Sequence, residues 1–225
     1  MRRIVFPLIL GIGGIAILLS LGVWQLRRLE WKEAMLAAIT AKIDAAPQVM
    51  PAAGADPAAF NYTAVALGGL TAGDEILVLT GQNGIGAGYE VITAFATYDG
   101  RRVLLDRGFV PEGARRTPRP PVELQVTGNL QWPRETDSYT PAPDLAAGIW
   151  FARDVPMMAA HLHTEPLLVV AAQVEGDAQG IEPVAIAITG IPNDHLNYAI
   201  TWFLLAFAWA GMTGFLLWRI RHRQI

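Results

Sequence analysis

The residues of this sequence that could do chemistry are a histidine and aromatic side chains at one end of an apolar stretch. His195 comes just before an uncharged run, residues 198–218, which is long enough to cross a lipid bilayer as a helix. At helical spacing Tyr198 and Trp202 follow His195 at i+3 and i+7, so one helix face carries an imidazole beside aromatic rings. Imidazole is a common axial ligand of haem iron. The pattern therefore indicates a candidate iron ligand at a membrane surface.

Two arginines stand at the corresponding end of a second apolar stretch. Residues 4–23 are uncharged, Trp24 closes the run, and Arg27 and Arg28 follow. An antiparallel pair of helices would bring these arginines to the depth of His195. Such a site suits a membrane-borne anion with an apolar part, such as haem with an isoprenoid tail, whose propionates would pair with arginine. The alternative is an ordinary basic anchor beside a polar helix cap, and spacing alone does not separate the two.

Two further groups offer other chemistry. Asp106 and Arg107 end a predicted strand, where they form either an internal ion pair or, through Arg107, a contact to an anionic ligand. Met157, His161 and His163 lie close together in the sequence, and cuprous copper favours thioether and imidazole ligands. The two histidines also fit an ordinary solvated helix end, so copper binding is not the favoured interpretation.

Composition excludes several classes of function. The 225 residues are 52% hydrophobic and 16% charged, which suits a chain with membrane-spanning helices. The net charge of −3 provides no basic surface for a nucleic acid. The sequence has no cysteine, which excludes disulfides, thiol nucleophiles and thiolate metal sites.

Both apolar runs are predicted to be transmembrane helices. The first run is longer than the apolar part of a signal peptide and lacks a small-residue cleavage site, so we expect it to be retained. The terminal tails hold five arginines, against three basic residues beside the spans on the other side. The positive-inside rule therefore predicts tails on the inner side, with the middle domain in the periplasm or, in a mitochondrion, in the intermembrane space. Our expected location is the bacterial inner membrane, with cytoplasmic tails and a periplasmic middle domain.

The second apolar helix has two further local signals. Asn193 or Asp194 is predicted to cap its first turn. Ala206, Ala210 and Gly214 recur at four-residue spacing, and small residues at this spacing let another membrane helix approach closely. We therefore expect this small-residue face to pack against the first helix.

The middle of the chain has the pattern of a mainly-β domain. Short β-like runs recur, and Asp99-Gly100 is a good hairpin turn. The pattern predicts strands at 62–67, 76–80, 89–98, 102–110, 123–131, 149–151, 167–175 and 184–188, with a helix capped by Asp154 and ending at His161. The expected fold is a small antiparallel barrel or sandwich (α+β) flanked by two transmembrane helices.

These features divide the chain into five predicted segments. They are a first transmembrane helix, 1–24; a helical extension and linker, 25–60; a periplasmic mainly-β domain, 61–192; a second transmembrane helix, 193–218; and a basic cytoplasmic tail, 219–225.

The sequence resembles the Surfeit locus protein 1 family nearly from end to end, with the same two-span layout. The matching motifs are Trp24-Gln25 with Arg28 and Trp31-Lys32; Tyr62 with Val65 and Gly68; Gly88-Tyr89-x-Val-x-Thr; the segment 103–111; Gly128-x-Leu130; Trp150-Phe-x-Arg-Asp154; and His195-Leu-x-Tyr-Ala-x-Thr-Trp-Phe.

The resemblance implies a non-enzymatic assembly factor for haem-copper cytochrome c oxidase. On this basis the chain would bind haem a and help its insertion into, or stabilisation in, subunit I, with His195 as the ligand of the haem iron. The implied partners are subunit I, membrane lipid and, as a further candidate, haem a synthase, and homo-oligomerisation stays open. The expected cofactor-binding residues are His195, Tyr198, Trp202, Trp24, Gln25, Arg27, Arg28 and Arg107. The alternatives are a structural chaperone of subunit I without haem and a copper-handling module.

Overall fold

The fold begins with a helix of 42 residues, α1 (Arg2–Ile43), whose length is about 63 Å. The computed structural model describes residues 2–82, 86–187 and 192–222. Beyond the apolar run, α1 continues through leucine, alanine, glutamate and lysine, which all favour helix. Pro7 lies inside the helix rather than in its first turn, so the carbonyl four residues earlier loses its usual donor.

A second long helix, α4 (His195–His222), ends the described chain. The backbone carbonyl of Asp194 accepts the first helical hydrogen bond, from the N–H of Tyr198 at 3.1 Å, so Asp194 holds the N-cap position. The side-chain oxygen of Asn193 is buried and has no hydrogen bond within the described residues, so Asn193 does not cap the helix. Both α1 and α4 are long and apolar enough to cross a membrane.

Helices α1 and α4 pack against each other through glycines of α1. A methyl group added at Gly11, Gly14 or Gly22 would overlap with side chains of α4, which are those of Thr213, Trp209 and Phe203 respectively. Glycine is therefore required at these positions for the observed approach.

The prediction that Ala206, Ala210 and Gly214 form a packing face of α4 is wrong for two of these three residues. Ala206 is 3% exposed, but Ala210 and Gly214 face outwards, and open space surrounds Gly214. Side chains of α4 fit over glycines of α1, so the small residues that permit the contact belong to the other helix.

Residues between the helices form a closed barrel of five strands. The strands are β1 (Ala64–Gln82), β2 (Gly86–Thr97), β3 (Arg102–Pro111), β4 (Glu123–Gln131) and β6 (Leu168–Gly176), and the ring runs β1–β2–β3–β6–β4–β1. A two-residue strand, β5 (Ile149–Trp150), pairs with β1 outside this ring. The pair β3–β6 is parallel and the other four ring pairs are antiparallel, so the expectation of a wholly antiparallel sheet is wrong at one position.

Side chains of the strands alternate between two apolar clusters. Leu105 belongs to a cluster supplied by all five ring strands, which lies inside the barrel. Its neighbour Leu104 belongs to an outer cluster that includes Trp150 and the short helix α3 (Val155–Leu162). Because both faces of β3 are covered, its residues 103–110 are buried.

Several local predictions are confirmed. Asp99-Gly100 forms the turn between β2 and β3, and Gly100 has a φ of +86°, which favours glycine. Asp154 caps α3 by accepting a hydrogen bond from the N–H of Met157 at 3.0 Å. A four-residue helix, α2 (Pro57–Phe60), interrupts the predicted linker.

Two strand predictions are wrong. The runs 64–67 and 76–80 belong to one long strand, β1, which begins at Ala64 rather than at residue 62 and whose pairing with β2 shifts register between Thr71 and Glu75. Residues 184–187 form no strand, and residue 188 lies outside the described residues. The chain forms two compact units, one of Met1–Ala38 with Ile188–Ile225 and the other of Ile39–Ala187.

Candidate functional site

His195 meets Gln25 where the first turn of α4 packs on α1. The Nδ1 atom of His195 lies 2.8 Å from Oε1 of Gln25. Gln25 is 9% exposed, because it lies on the face of α1 that packs against α4. Among the described residues, the Nε2 atom of His195 has no hydrogen-bond partner. The imidazole is thus held through one nitrogen and keeps the other for a ligand.

Two tryptophans of α4 line the same packed face. Trp202 and Trp209 are both half-buried, and their indole N–H groups are buried without a hydrogen-bond partner in the described part of the chain. Ala199, 1% exposed, lies between His195 and Trp202. Tyr198 instead points outwards and is 56% exposed. The predicted aromatic face therefore separates into a packed side with Trp202 and an outer side with Tyr198.

Cationic side chains surround this end of the helix pair. Arg27 and Arg28 are exposed within one turn of Gln25, and the Arg28 guanidinium lies 4.1 Å from the centre of the Trp31 ring. Lys32 donates a hydrogen bond to the carbonyl of Pro192, just before α4. The ring of Trp24, 56% exposed, is also available at this level. These side chains place positive charge and an exposed aromatic ring on α1 within about two turns of Gln25.

Arg107 is placed differently from the other predicted site residues. It lies in β3 and is 3% exposed, and it donates to Gln179 Oε1 at 2.9 Å and to the carbonyl of Ala178 at 3.3 Å. Burial lowers the pKa of Arg107 from its ordinary value. Asp106 forms no ion pair with Arg107, because successive side chains point to opposite faces of the strand. These contacts of Arg107 lie within the barrel unit.

Sequence reasoning missed a cluster of carboxylates around Arg153. The Arg153 guanidinium lies 3.5 Å from Asp106 and 3.6 Å from Glu90, and its Nε lies 3.0 Å from Glu135. Burial, reinforced by the Glu90 charge, raises the pKa of Asp106 to about 7. Burial also raises the pKa of Glu90. The sequence signals were the Asp106-Arg107 pair, which indicated a different ion-pair partner, and the Trp150-Phe-x-Arg-Asp154 motif, which contains Arg153 but identifies no partner.

The proposed copper ligands lie along the short helix α3 and directly after it. Met158 is fully buried in the core, whereas its neighbour Met157 is 48% exposed on the other side of α3. The ring of His161 lies 5.9 Å from the ring of Trp150, and His163 terminates α3 in the left-handed conformation with a φ of 53°. Within the described ranges, no group of three or more histidine or carboxylate side chains could hold a metal ion.

Comparison with known proteins identifies the family. A model of the SURF1 family matches residues 13–207, a range that includes both Gln25 and His195. This chain belongs to the SURF1 family. The match confirms the resemblance that the sequence motifs indicated.

Similar members of the SURF1 family come from distant organisms. A SURF1-like protein of Monosiga brevicollis is 30% identical over 220 residues, which cover 88% of this chain and 82% of the relative. A SURF1-like protein of Rickettsia felis is 30% identical over 210 residues, covering 85% of this chain and 88% of the relative. Surfeit locus protein 1 of Takifugu rubripes is 25% identical over 218 residues, covering 86% and 89%.

Proposed function

We propose that this chain is a non-enzymatic assembly factor for a haem-copper cytochrome c oxidase and that it binds haem a through His195. The observation that carries the proposal is the state of the imidazole, whose Nδ1 is held by Gln25 while Nε2 has no partner among the described residues. A neutral imidazole with a free nitrogen is the group that axial ligation of haem iron requires. Membership of the SURF1 family supports the assembly role, since the resemblance implies it.

The side chains around His195 fit a haem group. When bound, haem a supplies an iron that takes axial nitrogen ligands and two propionates that carry negative charge. Arg27 and Arg28 are exposed within one turn of Gln25, where they would pair with the propionates. Trp202 has a buried indole N–H without a partner in the described part of the chain, which is a donor left over for a ligand. Exposed rings that would flank the group belong to Trp24 and Tyr198.

The two long helices support a membrane location. Phe6 is 72% exposed and Phe207 is 81% exposed, and such surfaces are stable in lipid but not in water. Arg219 and Arg221 in the last turn of α4 favour a cytoplasmic C-terminus in the inner membrane. The barrel would then lie in the periplasm, and His195 would lie near the periplasmic surface of the bilayer.

A second candidate function is to steady subunit I without binding haem. The outward apolar surface of the helix pair favours it, because a membrane helix of subunit I, or of haem a synthase, could cover that surface. The two functions differ in one observable, which is haem a in the purified protein.

The absorption spectrum of protein purified from haem a-producing cells tests the proposal. The wild type should show a Soret band, and His195→Ala should lose it, because alanine offers no ligand to iron. Membrane yield and thermal melting should stay near wild type, since the first helical bond of α4 is made by the backbone of Asp194.

Two matched controls address two of the other three histidines. His161→Ala and His163→Asn should leave the band intact, and asparagine tolerates the left-handed backbone at position 163. A full Soret band in His195→Ala would refute haem binding through His195. A wild type without haem, in cells that need this protein for oxidase assembly, would favour the structural function.

A further inference from the structure

Gln25 occupies a position that the packing of the helices fixes. One turn before it, Gly22 lies against Phe203 of α4, and a methyl group there would overlap with the ring. Two turns after it, Lys32 donates a hydrogen bond to the carbonyl of Pro192. The backbone of Gln25 therefore lies between two contacts of α1, one with α4 and one with the region just before it, and this packing places the Gln25 side chain beside His195.

The contact between Gln25 and His195 indicates which ring nitrogen carries the proton. The atom of Gln25 that faces Nδ1 is the carbonyl oxygen Oε1, at 2.8 Å, and a carbonyl oxygen only accepts hydrogen bonds. Nδ1 must therefore donate, and a neutral imidazole has one N–H. The lone pair that remains for a metal is then on Nε2, which has no partner in the described part of the chain. In the other tautomer two lone pairs would face each other across this short distance.

We propose that Gln25 is a positioning residue that holds His195 in the Nδ1–H tautomer, so that Nε2 is the nitrogen presented to iron. The proposal rests on the proposed function for its ligand but not for its geometry. Histidines that bind metals commonly donate their second N–H to an oxygen acceptor, and removal of that acceptor typically lowers metal affinity about 10–100-fold. A glutamine, unlike a carboxylate, fixes the tautomer without adding a charge at the membrane edge.

Three substitutions separate this role from general damage. Gln25→Leu removes the acceptor while it keeps a side chain of similar size. Gln25→Glu keeps an oxygen acceptor for Nδ1–H and makes it stronger. Gln173→Leu is the matched control, because Gln173 is an exposed glutamine of β6.

The first measurement needs no haem. Solid-state NMR on the full chain in lipid vesicles, with ¹⁵N-labelled histidine and alkaline buffer, reports which imidazole nitrogen is protonated. The chain has four histidines, and the signal of His195 is the one that His195→Ala removes. We expect Nδ1–H in the wild type, in Gln25→Glu and in Gln173→Leu, and loss of this preference in Gln25→Leu. An Nε2–H tautomer in the wild type, or an unchanged tautomer in Gln25→Leu, would overturn the inference.

The second measurement is titration of the same proteins with haem a. Gln25→Leu should bind about 10–100-fold more weakly than the wild type. Gln25→Glu should retain affinity and should lower the reduction potential of the haem, because a more basic ligand stabilises ferric iron. Equal affinity of Gln25→Leu and the wild type would overturn the positioning role. If the tautomer responds as expected but the wild type binds no haem a, the proposed function fails and the inference on tautomer control stands.

Discussion

The carboxylate cluster around Arg153 should make the barrel less stable as the pH rises. Asp106 is 2% exposed, and burial with the nearby Glu90 charge raises its pKa from 3.8 to about 7. The folded state therefore keeps a proton that the unfolded chain releases near pH 4. The stability linked to this proton is complete below about pH 4 and is lost as the pH rises through about 7.

The size of this effect follows from the change in pKa. A rise from 3.8 to about 7 corresponds to about 4 kcal/mol of unfolding free energy lost across the range. Glu90, whose pKa burial also raises, adds in the same direction. Burial acts to raise the pKa of Glu135, but the hydrogen bonds and the charge of Arg153 outweigh it, so this pKa is lowered. Glu135 therefore opposes the loss of unfolding free energy only at pH values below its ordinary pKa. We expect a net loss of about 2–4 kcal/mol between pH 4.5 and 7.5.

The substitution Asp106→Asn tests this reasoning. Asparagine is neutral at every pH, and its carbonyl can still accept the hydrogen bond from the Gly108 N–H, at 3.1 Å in the wild type. The assay is urea unfolding of the barrel at a series of pH values, with Asp74→Asn as the control because Asp74 is exposed. Asp106→Asn should flatten the pH dependence, and Asp74→Asn should retain it. A slope in Asp106→Asn equal to that of the wild type would refute the assignment of this proton.

The remaining predictions concern the helices. Gly14→Leu should lower the free energy of unfolding of the helix pair by about 1–3 kcal/mol, because leucine would overpack against Trp209. Gly13→Leu should have a stability near that of the wild type, because open space surrounds Gly13. Equal melting temperatures for the two variants would show that α1 does not meet α4 through this face. A phosphatase fused after Gly100 should be active and one fused after Ile225 inactive, and the reverse pattern would contradict the proposed orientation.

The sequence predicted local structure best. The turn at Asp99-Gly100 and the cap at Asp154 depend on a few neighbouring residues, so their signals are complete within a short window. The division of β1 into two predicted strands left residues 68–75 out of any strand, whereas the strand continues through them with a shift in register between Thr71 and Glu75. The parallel pairing of β3 with β6 joins residues about 60 positions apart, and no local pattern indicates it.

The sequence singled out His195, Gln25 and Trp202 but did not predict the contacts between them. Helical periodicity placed His195 and Trp202 on one face, and that face is the packed one. Periodicity cannot show which residue lies opposite, so the hydrogen bond to Gln25, 170 positions away, became visible only in the structure. The ion pairs of Arg153 could not be predicted for the same reason, since Asp106 and Glu90 lie in different strands and come together only in the folded sheet.

The most direct test of haem ligation is the nitrogen hyperfine coupling of ferric haem a bound to the protein. The spectrum should be recorded by electron–nuclear double resonance, with and without ¹⁵N-labelled histidine. We predict a strong imidazole coupling that changes with the label, is unchanged in His161→Ala and is absent in His195→Ala. An imidazole coupling of full strength in His195→Ala would contradict the account, because the iron would then be bound by a different histidine.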